Sequence, residues 1–228
     1  MTLSHFRESV RRALADADGG PLGRRIRAAT ITAIIADARG DVRDAAAIAE
    51  LVEALERAGV PRGRQFVLLG SDPPDLAAAR DAARSLRASL GIPVLAHDPA
   101  GRARFLAGTL ESGVPVELDD ELREAEEVVL AGRFAAGESG ELRGGPALLW
   151  PGLASARARA ARSAAPDAAS ALAEAASAMA LAPVDFALVW SAHTEPRVRA
   201  GTPGVVFAAC VRDGWLATAP DAEARKLG

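Results

Sequence analysis

Short runs of consecutive apolar residues alternate along the chain with longer stretches in which apolar residues recur every three or four positions. "RAATITAIIAD" (27–37), "RQFVLLG" (64–70), "IPVLAHD" (92–98), "EEVVLAG" (126–132) and "VDFALVW" (184–190) belong to the first kind. Runs of that length bounded by glycine or polar residues read as strands buried on both faces, here near 28–36, 65–70, 92–96, 127–132 and 184–190. Over 41–59, Ile48, Leu51, Val52 and Leu55 fall on one helical face, with Asp41 placed to cap the start and Gly59 the end. Over 73–91, Leu76, Ala79, Ala83, Leu86 and Leu90 repeat the pattern, with Asp72 and Pro73 suited to the N-cap and first helical position. The alanine-rich stretch 153–182 reads as two helices broken at Pro166. Strands alternating with amphipathic helices predict an α/β fold: a mainly parallel sheet with helices on both faces. "GVVFAACVRDGWLAT" (204–218) places a turn signal at 212–214 between two β-like runs, which predicts an antiparallel hairpin at one edge. The charged start, residues 1–21, reads as a helical extension to a single domain over 22–228.

Composition narrows the chemistry. Half of the 228 residues are hydrophobic, enough for a full core. A formal charge of −3 gives no basic field for nucleic acid or an anionic membrane surface, and neither is expected as a partner. The N-terminus is too charged for a signal peptide, and no apolar run reaches the roughly 20 residues of a membrane helix, so a cytoplasmic address is expected. Cys210 is the only cysteine, which excludes an internal disulfide and any multi-cysteine metal site. Lysine occurs once, at Lys226. A mechanism that needs an internal lysine as Schiff base, phosphate clamp or tether therefore has none to use.

Ligands of parallel α/β sheets bind outside the carboxyl ends of the strands. Those ends hold Asp37, Arg39, Ser71, Asp72, His97, Asp98, Arg133, Glu138 and Arg143, beside the glycines Gly144 and Gly145. Such a rim suits a small anionic or hydroxylated molecule. His5 and His193 have no carboxylate at metal-ligand spacing, and the glycines of 140–145 form no dinucleotide fingerprint. Each rim residue also has a structural reading: Asp72 as a cap, and His97-Asp98-Pro99 as the closing of a turn.

The order of motifs carries a resemblance. A strand ending in Gly70-Ser71, "AHD" at 96, "SGVPVELDDELREAEEVVLAGR" at 112, "RGGPALLWPGLAS" at 143 and "PVDFALVW" at 183 resemble the N-terminal domain of the nickel-pincer lactate racemase (LarA-like) family. The likeness runs from about residue 22 to the end and is clearest over 112–155. It implies that family's chemistry, in which a nickel-bearing pyridinium nucleotide takes a hydride from the α-carbon of a hydroxy acid and returns it to either face. In the family the nucleotide is tethered to a lysine directly after Gly-Gly-Pro; that position here is Ala147. The family's catalytic histidines map onto Asp72 and near Gly137, and its nickel-ligand histidine near Ser163. Its Asp-x-x-Arg motif becomes "DARG", with Asp37 and Arg39 out of register, whereas His97-Asp98 matches a family His-Asp. The resemblance also implies that this sequence corresponds to the first of two domains.

Two readings follow. One is a non-catalytic domain without the nickel nucleotide, which binds a small hydroxy acid or anion, or pairs with a partner chain or a second copy of itself. The other is a racemase- or epimerase-like enzyme with altered chemistry, using Asp72, His97 or Asp98. For the first, the exposed interface is expected to lie over the loops at 37–41, 70–75 and 133–147, bordered by Phe134, Leu142 and Trp150.

Overall fold

The structure, a computed structural model, describes residues 2–70, 75–137, 141–162, 167–191 and 195–216. In chain order, α1 (Leu3–Ala15) and α2 (Leu22–Arg25) precede β1 (Thr32–Asp37), α3 (Val42–Arg57), β2 (Gln65–Gly70), α4 (Leu76–Leu90) and β3 (Val94–Ala96). The hairpin strands β4 (Arg104–Thr109) and β5 (Pro115–Asp119) follow, then β6 (Glu127–Ala136) and β7 (Leu142–Gly144). The chain continues through α5 (Ala156–Ala161), α6 (Ala168–Leu181), β8 (Phe186–Trp190), β9 (Val198–Gly201) and α7 (Pro203–Arg212). The five strands expected from the apolar runs are all present. They pair in parallel in the order β3-β2-β1-β6-β8, with β9 antiparallel at the edge beside β8 and β7 antiparallel on β6.

Both faces of the sheet are covered, which is why its strands read as continuous apolar runs. Ile34, Ala36, Val67, Leu69, Val129 and Ala131 face α1, α3 and α4. Ala33, Ile35, Leu68, Leu130, Ala187 and Val189 face the other way, toward the β4–β5 hairpin, the 145–154 segment, α6 and α7. The helix α1 belongs to the first layer. Its Phe6, Val10 and Leu14 are buried, Phe6 meets Trp190 edge-on with centroids 5.9 Å apart, and Arg11 pairs through two nitrogens with the buried Glu50 of α3. No helix among the described residues is long and apolar enough to cross a membrane.

The edge hairpin is antiparallel as expected but is built from other residues. Residues 204–211 are not a strand; they lie in α7. Pro203 takes the first turn of that helix, where its fixed φ and missing N–H are tolerated, and Val206, Phe207 and Cys210 form a buried face at helical spacing. Of the β-branched residues in this stretch only Val206 is buried, while Val205 and Val211 are exposed on the helix, so their strand-like side chains do not mark strand pairing here. The antiparallel edge is β9, whose Val198 and Gly201 pair with Trp190 and Ala187. A second antiparallel hairpin, β4–β5, sits in the outer layer, where its half-exposed strands lack the apolar runs that identify the others.

This connectivity positions the site. The chain leaves β1 toward β2 and β3, then returns to the other side of β1 as β6 and goes on to β8. At the carboxyl ends of β1 and β6 the loops diverge, leaving the crevice where such folds bind ligands.

Candidate functional site

The crevice is built by the end of β1, the start of α3 and the middle of β6. Asp37 closes β1 with a tight turn: its Oδ1 accepts the Arg39 N–H at 2.8 Å, and the Gly40 N–H reaches its carbonyl at 3.2 Å. Asp41 then caps α3. Its Oδ1 accepts the N–H of Arg43 at 2.7 Å, while Asp44 Oδ2 accepts the Asp41 N–H at 2.6 Å, a reciprocal capping box. From β6, Arg133 Nη2 donates to Asp41 Oδ2 at 2.7 Å and to Asp44 Oδ2 at 2.8 Å. Strand alternation puts Arg133 on the same face as Val129 and Ala131, the face α3 covers. A cavity of about 290 Å³ opens beside this cluster between α3 and α4, walled by Gly40, Asp44, Ile48, Ser85 and Leu86.

The charges differ in state. Burial pushes the Asp44 carboxyl above the ordinary value, with the Arg133 hydrogen bond opposing it. Burial also works to raise Asp41. There the backbone N–H of Arg43, the Asp44 carboxyl and the Arg133 charge outweigh it and hold the group below the ordinary value. Arg133 loses hydration, but its two carboxylate partners carry its pKa above the usual one. Arg39 and Arg133 remain about two-fifths exposed at the lip.

The glycine turn lies alongside. Gly144 pairs with Phe134 across β6–β7 and has φ +65°, and Gly145 has φ +52°. Residues Gly145–Leu148 form a 3₁₀ turn that carries Ala147, only 8 % exposed. The Gly152 N–H closes back onto the Ala147 carbonyl at 2.9 Å. Leu148, Leu149, Trp150 and Leu153 of this segment are core residues, and Trp150 Nε1 donates to Glu174 of α6 at 2.8 Å. The apolar border expected for an interface is therefore not offered. Phe134 and Trp150 are both fully buried because the segment folds down onto the sheet, and only Leu142 of the three is part-exposed. Arg143 is exposed and pairs with Glu141.

His97 and Asp98 stand elsewhere, at the end of β3 beyond β2. The His97 ring is buried, with Nδ1 2.7 Å from Asp119 Oδ2 and Nε2 3.1 Å from the Ala154 carbonyl. Arg104 and the Glu121 N–H flank Asp119. Burial acts to raise that carboxyl, yet the hydrogen bond and charge of His97 take it below the ordinary value. The histidine thus ties β3, β5 and the 145–154 segment together. Asp98 points away, 3.7 Å from Arg80, and lines a separate cavity of about 580 Å³ with Arg159. Ser71 and Asp72 lie outside the described residues, as do Glu138, Ser163, His193 and Lys226. Of the rim read from sequence, the structure brings together Asp37, Arg39 and Arg133, with Gly144 and Gly145 next to them. It adds Asp41 and Asp44, whose Asp-x-x-Asp spacing at a helix start is the capping-box signal that could have found them.

No family model matches the chain, and no curated protein matches it. A solved structure does: the lactate racemase apoprotein from Thermoanaerobacterium thermosaccharolyticum superimposes with a TM-score of 0.72 at 18% identity. The match covers 93% of this chain and 56% of that one, so the chain spans little more than half the length of that protein. At this identity the likeness establishes the fold: a lactate-racemase-like α/β domain, the one that the motifs of residues 112–155 resemble.

Proposed function

We propose that this chain is a binding domain on a lactate-racemase-like fold, without the racemase chemistry, and that its ligand is a small hydroxy acid or related anion held at the β1–β6 crevice. The observation that carries the reading is Ala147. In the turn where the resembled family presents its tethering lysine, this chain places a methyl group that is nearly buried. Alanine has no nucleophile, so the residues at this turn do not fit a covalently held nickel nucleotide. His97 adds support, because both of its ring nitrogens already face acceptors inside the protein. At the crevice, Arg39 and Arg133 already pair with Asp37, Asp41 and Asp44 but stay about two-fifths exposed, and a ligand carboxylate would compete for them there, with Asp37 and Asp41 left to accept from the neighbouring hydroxyl.

The test is native and intact mass spectrometry of the purified protein, followed by titration with both enantiomers of short 2-hydroxy acids. The expected result is an intact mass equal to that of the sequence, 23.5 kDa, with reversible binding and no interconversion of enantiomers. Ala147→Lys alone is expected to leave the protein inactive. A nucleotide-sized covalent adduct, or racemisation by the unmodified protein, would overturn the proposal.

A further inference from the structure

The amino edge of the sheet, opposite the crevice, holds another cavity, of about 330 Å³. Its walls are apolar: Phe105 from β4, Leu122 from the turn after β5, Val128 from β6, Leu149, and Leu181 and Pro183 ahead of β8. Two carboxylates, Glu126 and Asp185, open onto the same space. Each is oriented by the backbone. Glu126 Oε2 accepts the Ile31 N–H at 2.9 Å, and Asp185 Oδ2 accepts the Val128 N–H at 2.8 Å. Arg123 also lines the cavity, with Nη1 3.5 Å from Asp120 Oδ1, and Arg27 pairs with the buried Glu127 at 2.7 Å. The stretch "DDELREAEE" (119–127) contributes Leu122, Arg123, Ala125 and Glu126 to the lining.

We propose that this cavity binds a small amphipathic ammonium ion, with its apolar body against Phe105, Leu122 and Leu181 and its charged nitrogen at the carboxylates of Glu126 and Asp185. Charge complementarity selects the cation. Among the residues that line the cavity, the two carboxylates of Glu126 and Asp185 outnumber the single guanidinium of Arg123, which already pairs with Asp120, so an anion meets net repulsion. A purely neutral ligand leaves the two oriented carboxylates without a counterpart. The volume stands at the lower end of small-molecule pockets, roughly 300–1,000 Å³, which limits the guest to a short alkyl chain or a single ring. The state of Asp185 agrees: burial, and then the neighbouring Glu127 charge, push its carboxyl above the ordinary value, and an ammonium would relieve both.

The experiment titrates the whole protein with hexylammonium, hexanol and hexanoate in parallel, followed by amide NMR. Hexylammonium is expected to shift the resonances of Phe105, Leu122, Val128 and Leu181 and to bind at least tenfold more tightly than hexanoate. The Glu126→Gln/Asp185→Asn variant keeps both backbone hydrogen bonds through its amide oxygens, so it is expected to fold, as its spectrum will report. It should bind hexylammonium no better than hexanol. Equal binding of all three probes, shifts mapping elsewhere, no shifts at millimolar probe, or an unchanged affinity in the variant would each overturn the proposal.

Discussion

Gly144→Ala is expected to destabilise the protein by about 3–5 kcal/mol, among the larger effects a single small substitution can have. Two costs combine. At φ +65° an alanine pays roughly 1–2 kcal/mol for a left-handed backbone. The added Cβ would also lie 1.6 Å from the Arg133 carbonyl oxygen, a backbone atom that cannot rotate away. Relief requires β6 and β7 to part where Phe134 pairs with Gly144. Gly113→Ala separates the two costs, because Gly113 has φ +83° but open space where its Cβ would be. Urea unfolding of the two variants should therefore give a loss of about 1–2 kcal/mol for Gly113→Ala and at least twice that for Gly144→Ala. Equal losses would show that the close approach of the strands is not what requires glycine at 144.

That result bears on how the Gly-Gly-Pro turn is read. In the sequence, a constrained turn with an alanine at its centre looks like a holder that has outlived what it held. The structure supplies a second reason for the glycines. Gly144 lets β7 lie against β6, Gly145 packs on the Phe134 ring, and the segment beyond them delivers Leu148, Leu149, Trp150 and Leu153 to the core. The turn is required by the fold whatever occupies position 147.

The division between what was legible and what was not follows sequence distance. The five parallel strands, α3 and α4 were readable because both faces of the sheet are buried and both helices are amphipathic, so local pattern and tertiary demand agree, but α4 begins at Leu76 with Asp75 as its cap, accepting the Ala78 N–H at 3.0 Å, and not at 73 behind Asp72. α7 was misread because Val205, Val206, Phe207 and Val211 have strand-like side chains, while the decisive features were Pro203 at the helix start and a buried face of Val206, Phe207 and Cys210. β4 and β5 were missed because hairpin strands in an outer layer carry few consecutive apolar residues. At the site, Asp37 and Arg39 were visible at a strand end, but their assembly with Arg133 depends on β6 lying beside β1, nearly 100 residues later. His97 was visible as a histidine, whereas its partners lie 22 and 57 residues away, and only the fold shows that both ring nitrogens are taken.

Arg133→Met is expected to cost about 2 kcal/mol at neutral pH, a value set between two limits. Exposed ion pairs contribute about 0–1 kcal/mol, and stranding a buried charge costs about 3–5 kcal/mol. Arg133 is two-fifths exposed, which discounts its side of the pair, but the Asp44 side chain is only 8 % exposed and has nowhere to go. The pH dependence follows from the two carboxyls. Asp44 has a folded pKa above the ordinary value, so its ionisation penalises the native state as pH rises through that range; Arg133 limits the penalty, and its removal enlarges it. Asp41 has a folded pKa below the ordinary value, so it stabilises the native state above the ordinary carboxylate range, and that contribution fades as pH falls through its folded pKa; removing Arg133 reduces it. Both effects have the same sign. The deficit of Arg133→Met should be largest near pH 7 and shrink as pH falls, first as Asp44 takes up its proton and last as pH passes below the depressed folded pKa of Asp41. Asp44→Asn keeps an acceptor for the Asp41 N–H and removes the buried charge. In that background Arg133→Met should cost at least 1 kcal/mol less, a coupling that a double-mutant cycle in urea measures directly. A deficit independent of pH, or additive costs in the double variant, would mean that Arg133 serves this corner through the packing of its aliphatic stem and not through its charge.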